Sequence, residues 1–245
     1  MSKDRFKDAL WYNKDASILV GGSGGIGSWF SFFSTRAGLT TAVIDYDVVE
    51  EHNLGGQLFL TEDVGSYKVD ALSNVVSLFN DCDYKLFSYK DKIDEQIELK
   101  YYIVNFRTSD IVFIVSAFDN MKAREDLFNK ALEYKKEYPY KPCYFIDGRL
   151  LMEQMRIYCV DLCIDSHIND YKTNHIFPDS DVEDVACTMK QASHGAAMIA
   201  THMLGFITNI ISNELVWKSN VFKVPYMWDY IIPLNSITEI YEPTS

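Results

Sequence analysis

The feature that most limits what this chain can fold into is a glycine cluster, GGSGGIGSWF, that starts where a short β-type run, Ser17 to Val20, ends. Gly22, Gly24 and Gly27, with Gly25 at a variable position between them, satisfy G-x-G-x-x-G, and the apolar spacing after them turns helical. Between a strand and a helix such a loop can turn tightly and approach a phosphate. The helix N-terminus then offers the anion free N–H groups and a partial positive charge. A second strand, Thr41 to Asp45, follows, and Asp45 lies 18 positions after Gly27, where a carboxylate can accept from ribose hydroxyls. A glycine turn that only lets helix and strand pack closely would read the same way.

Further along, the spacing predicts a long loop from Tyr46 to Tyr67, a helix from Lys68 to Phe79 and a strand at Tyr84 to Tyr89. Ile111 to Ala117 is a continuous apolar run of the kind buried on both faces of a parallel sheet, and Asn120 to Tyr134 is amphipathic and helical. Pro142 leads into another strand, CYFID, and the pattern from Arg149 to Leu162 is strand-like again. Asp165 to Asp184 is polar and acidic and reads as a loop; Cys187 to Ile211 is the longest helical stretch. The tail, Val216 to Ile240, is aromatic and β-branched and predicts a hairpin or edge strands. These elements imply a doubly wound, mostly parallel, Rossmann-like α/β sheet with a C-terminal helix and β extension. The expectation is a single domain over 1–245, with a nucleotide-binding half at 1–148 and a substrate half at 149–245.

Composition excludes more than it assigns. A formal net charge of −12 repels phosphate backbones and anionic lipid, so neither nucleic acid nor a membrane is expected as a partner. The opening, MSKDRFKDALWYNKD, has no apolar core and does not read as a targeting peptide, which makes cytoplasmic residence the expectation. Gly195 to Ile211, the longest apolar stretch, falls short of the roughly 20 residues a bilayer needs and reads as a buried helix. The 5 cysteines, at 82, 143, 159, 163 and 187, form no CxxC pair, so no zinc site is expected. Cys159 and Cys163 are expected on one strand face, with Cys82 and Cys143 structural.

The glycine loop alone does not choose the nucleotide, and a NAD-dependent oxidoreductase would share it. The continuation, IDYDVVEEHNLGGQLFLTEDVGSYKVDAL, resembles the ThiF/MoeB/HesA family, which also contains the ubiquitin-activating enzymes. Asp45, Asp47, Val48, Asn53, Leu54, Gln57, Asp63, Gly65 and Lys68 stand at that family's spacings. SAFDNMKARED places Asp119, Asn120 and Arg124 in its Asp-Asn-x-x-x-Arg segment. The resemblance implies an ATP site in which Asp45 holds the ribose, Lys68 contacts phosphates and Asp119 binds Mg²⁺. Gly22, Gly24, Gly25, Gly27, Asp47, Asn53, Gln57 and Asn120 complete the nucleotide-binding set. Lys68 could otherwise be a solvated helix-start lysine and Asp119 a helix cap; Asn53 and Gln57 fit loop-shaping roles.

The resemblance further implies adenylation of a C-terminal carboxylate, on a small ubiquitin-like protein or a peptide, by a homodimer. It also suggests Cys187, in DVACTMKQASH before the long helix, as a nucleophile that takes the acyl group as a thioester; the other reading is a buried structural thiol. One departure stands out: the family's arginine before Gln57 is Gly56 here. Either Arg149 in the DGR turn, Arg5 or Arg124 substitutes, or the chain is an inactive binding and dimerisation partner.

Overall fold

The computed structural model describes residues 6–79, 86–105, 107–151, 153–178 and 192–243. Its first strand, β1 (Ala16–Gly21), and the fourth, β4 (Ile111–Ser116), are buried at every position, which is what an apolar run does at the centre of a parallel sheet covered on both faces. They pair in parallel with each other. β2 (Thr40–Ile44) and β3 (Leu86–Tyr89) extend the sheet on one side, and β5 (Cys143–Leu151) on the other, all parallel. β6 (Gln154–Asp161), β7 (Met227–Ile231) and β8 (Ser236–Ile240) then add as an antiparallel meander, giving the order β3-β2-β1-β4-β5-β6-β7-β8. The order reverses between β1 and β4, and in open α/β sheets the crevice above such a switch point is where ligands bind.

One face of the sheet is covered by α1 (Gly25–Arg36), α2 (Lys68–Phe79) and α5 (Ser193–Ser212), around Phe30, Leu72, Ile199 and Met203. The other is covered by α3 (Met121–Glu137) and α4 (Asp165–Asn174), around Leu127, Phe128, Tyr134 and Tyr171. α2 has the bounds read from sequence, and the long loop between β2 and α2 carries only short 3₁₀ turns at Glu51–Asn53 and Thr61–Asp63. β7 and β8 form the hairpin expected of the tail. β8 closes the sheet as an edge strand with Ser236 to Glu239 exposed, so neither of its faces is covered.

Four expectations are corrected. Asp165 to Asn174 is helical rather than loop: α4 buries only His167 and Tyr171, one turn apart, so a narrow apolar stripe anchors an otherwise polar helix that pattern reading passes over. The long helix does not reach back to Cys187 as one element, because α5 starts at Ser193 behind an extended Ala192. The helical run continues through a π turn to Trp217, 25 residues in all, and so by length and composition could cross a membrane, contrary to the shorter apolar count; half of that apolar window is buried inside the protein. Its buried face packs on α1, β5 and β6. Finally, Cys159 is buried in β6 whereas Cys163 lies beyond the end of that strand and is exposed, so the two do not share a face. Cys143 is buried, as expected.

Candidate functional site

The glycine loop sits at the switch point, and its glycines have different reasons to be there. Gly22 has φ +89°, and its N–H donates to Ile44 O at 2.9 Å. A methyl group on Gly27 would stand 1.9 Å from Gly22 O, so the first turn of α1 is pressed against the loop. Gly24 is the opposite case: a methyl there would meet nothing closer than Gln57 Nε2, at 3.9 Å. Gly24 is the N-cap of α1, no side chain caps the helix, and no acidic residue stands in its first turn. The partial positive charge of that helix end is left facing the cleft.

On the β2 side Asp45 ties the loop down. Its Oδ2 accepts from Ser23 N at 2.7 Å and Ser23 Oγ at 2.9 Å, and its Oδ1 from Asp47 N at 2.9 Å. Lys68, at the start of α2, pairs with Asp47 Oδ2 at 3.0 Å, its side chain only 11% exposed, so it is not the solvated lysine of the alternative reading. The loop from 46 to 67 lies along α1, because Trp29 Nε1 donates to Gly56 O at 3.2 Å and Leu58 N donates to Ser28 Oγ at 3.1 Å. Asn53 shapes it, accepting from Glu50 N at 2.9 Å, and Asp63 does the same for Leu60 N at 2.8 Å. This places Gln57 beside Gly24 with its Oε1 buried and, among the described residues, without a hydrogen-bond partner, an acceptor left for a donor such as a ribose hydroxyl or a metal-bound water.

After β4 come Asp119 and Asn120. Asn120 is the cap of α3, its Oδ1 accepting from Ala123 N at 2.8 Å. Asp119 is exposed, and its Oδ1 accepts from Asn120 Nδ2 at 3.3 Å. One carboxylate suits Mg²⁺, which keeps most of its shell as water and phosphate oxygen.

The two described arginines that could replace the one missing at Gly56 prove unequal. Arg124 is buried and spent: it pairs with Asp147 and donates to Phe118 O and, at 3.1 Å, to Gly148 O, tying the segment that follows β4 to the middle of β5. Arg149 lies in β5, not in a turn; its Nε donates to Asp147 Oδ2 at 2.6 Å and its guanidinium to His175 O at 2.7 Å. Arg5 falls outside the described residues. Asp147 is fully buried. Burial alone would raise its pKa, but Arg124 and Arg149, with the Tyr171 hydroxyl donating at 3.0 Å, hold the carboxyl below its ordinary value. Arg149 is raised in turn, the attraction of Asp147 overcoming its own burial.

These walls enclose a cleft of about 1240 Å³ that runs from the glycine loop to the ends of β5 and β6. Gly22, Gly24, Gly25, Asp45, Asp47, Gln57, Lys68, Asp119 and Asn120 line it. Gly27 and Asn53 do not, since one serves packing and the other the loop. Cys187 lies outside the described residues. Sequence reading missed the far wall, made by Gln154, Arg156, Tyr158, His175 and Phe177. Strand alternation does carry part of it, since Asp147 and Arg149, two apart, must share a face. Among the described residues no three His, Cys, Asp or Glu side chains gather as a metal cluster.

Compared with known proteins, residues 8–233 match the profile of the ThiF family. No curated protein sequence matches. Solved structures do: PaaA superposes with a TM-score of 0.62 at 18% identity, over 96% of this chain and 75% of that one. Escherichia coli MccB with ATP gives 0.66 at 17%, and MccB with AMPCPP and MccA gives 0.66 at 16%. In both, the match takes in 98% of this chain and 66% of MccB, so the chain spans about two thirds of that relative. At such identities the likeness shows the fold.

Proposed function

The chain belongs to the ThiF family, and on that premise we propose that it is an adenylyltransferase that activates the C-terminal carboxylate of a peptide or small ubiquitin-like protein with ATP. The observation that carries the reading is the meeting of the open Gly24 cradle, the uncapped end of α1, Lys68 and Asp119 in one cleft. MccB solved with ATP in one case, and with AMPCPP and MccA in another, supports a nucleotide and a second bound molecule in this fold.

In the proposed reaction a carboxylate oxygen attacks the α-phosphorus. The α–β bridging P–O bond breaks, and pyrophosphate leaves with the bonding pair. The loop N–H groups and the α1 dipole hold the phosphates, and Asp45, whose oxygens keep lone pairs beyond those given to Ser23 and Asp47, accepts from the ribose. Lys68, kept close to the cleft by Asp47, supplies positive charge to the triphosphate. Mg²⁺, held by Asp119, would neutralise charge on the departing group. Catalysis of this kind is positioning and charge stabilisation. Homodimer assembly, which rests on family resemblance, and cytoplasmic residence, which rests on an opening that does not read as a targeting peptide, belong to the same reading; light scattering should give about twice the 28.2 kDa of one chain.

Transfer of the acyl group to Cys187 is a further part of the proposal. Buried Cys143 and Cys159 have thiols pushed well up by desolvation, which leaves exposed Cys163 as the described competitor in alkylation. Cys187 should react first at neutral pH, and Cys187→Ala should remove any thioester while sparing adenylation.

A second reading, a nucleotide-binding partner without activity, is favoured by Gly56, whose carbonyl is taken by Trp29 and which carries no cation. ATP–pyrophosphate exchange with a panel of C-terminal peptides decides between them: exchange above background with any peptide supports the enzyme, and background with every peptide leaves the inactive partner.

A further inference from the structure

β5 and β6 form a hairpin in which Arg149 stands directly opposite Arg156, and Asp229 of β7 is next in the same row. Facing residues on adjacent strands have Cβ atoms about 5 Å apart, and like charges so placed repel. Their carboxylate partners come from either side of the pair rather than from between them. Asp147 stands two residues back on β5 and accepts from Arg149 Nε at 2.6 Å, while Asp229 on β7 accepts from Arg156 Nε at 2.7 Å and from Gln154 Nε2 at 3.0 Å.

Arg149 is also fixed from above, over the Tyr158 ring at 4.8 Å and beside Phe177 at 5.9 Å. The Arg156 side chain remains 40% exposed. Both arginines line the cleft. They do so from β5 and β6, beyond β4, whereas Asp45, Asp47 and Lys68 flank the glycine loop from the β2 side. A nucleotide lying between Asp45 and the loop leaves this wall to the molecule that attacks it.

We propose that Arg149 and Arg156 form an anion subsite that takes the side-chain carboxylate of an Asp or Glu close to the C-terminus of the acyl substrate. The inference rests on the adenylation reading for the identity of its ligand. A carboxylate bridging the two guanidiniums relieves their repulsion and gains charge-assisted hydrogen bonds, a combination that a neutral amide of the same shape does not offer. The wall thus selects an acidic C-terminal segment even though the chain as a whole carries a net charge of −12. The end of the triphosphate shares this chemistry, and the experiment separates the two.

The test is calorimetry on the full chain, with and without AMPCPP, using glycine-rich pentapeptides that carry one Glu at the last, second-last or third-last position, each against its Gln counterpart. One Glu peptide should bind roughly tenfold or more tighter than its Gln counterpart. Arg156→Gln should erase that preference, Arg156→Lys should retain much of it, and AMPCPP affinity should stay within about twofold. If Arg156→Gln folds poorly with Asp229 left unpaired, the double variant Arg156→Gln/Asp229→Asn gives the same readout. Equal binding of Glu and Gln peptides at every position overturns the proposal. So does a variant that loses AMPCPP affinity and keeps the peptide preference, since the nucleotide then holds the pair. These are binding measurements: a Glu preference with background exchange removes the enzyme and leaves the subsite, and exchange without preference does the reverse.

Discussion

Gly24 and Gly27 lie three residues apart in one loop, yet alanine should act on them in opposite ways. At Gly27 the added methyl would sit 1.9 Å from Gly22 O, against the ~3.5 Å or more of an ordinary non-bonded contact. Relief requires moving either α1 or a backbone already at φ +89°. Such overpacking costs about 1–3 kcal/mol and more where backbone must shift, or roughly 3–10 °C in melting temperature for a chain of this size. At Gly24 the nearest atom is 3.9 Å away, so the added methyl meets no clash and the melting temperature should move less than at Gly27. That methyl, however, fills the space a phosphate must enter to reach the loop N–H groups. Losing one charge-assisted hydrogen bond of about 1.5–3 kcal/mol weakens MgATP roughly ten- to hundredfold. Thermal unfolding and calorimetry on the two variants give the contrast. A Gly24→Ala protein that binds MgATP as well as the parent would refute the cradle, and a Gly27→Ala protein with an unchanged melting temperature would refute the contact.

Three other outcomes follow from the geometry. Asp119→Ala should weaken MgATP binding while leaving metal-free adenosine unaffected; equal losses in calorimetry would mean that the residue acts through the α3 N-terminus instead. Arg124→Met leaves fully buried Asp147 with Arg149 and Tyr171 alone and should cost about 3–5 kcal/mol in denaturant unfolding, a loss that Asp147→Asn in the same chain partly restores. His175 lies below its ordinary 6.5, chiefly through burial and against the pull of Asp170, so the unfolded chain binds its proton first and stability should decline as pH falls below about 6.5. The depressed carboxyl of Asp147 adds a second decline below its ordinary 3.8. A His175→Gln variant that keeps the first decline would show that another group causes it.

What could be read in advance was what the chain writes locally. β1, the glycine turn and α1 follow from successive residues, and so do the two ends of α2. Asp119 and Asn120 were found together, but which of them caps α3 depends on one side-chain rotamer, which spacing does not contain. α4 was missed because it holds to the sheet by only two buried residues, His167 and Tyr171, too few to write a period. The far wall of the cleft was illegible for another reason. Arg149 and Arg156 are seven apart in sequence and become neighbours only through the β5–β6 register, while Asp229 joins them from more than seventy residues away. Register is fixed by the turn and by the buried face together, and neither is visible in a charge pattern.

Among the described residues, β8 leaves the sheet with one free row of backbone N–H and C=O groups and with the side chains of Ser236 to Glu239 in solvent on both faces. A strand laid along that row would gain its hydrogen bonds whatever its sequence. It would find almost nothing to set its alignment, because sliding it by one residue would exchange one solvated face for the other. At this border adhesion and recognition come apart, so that any partner added here must bring its own means of registration.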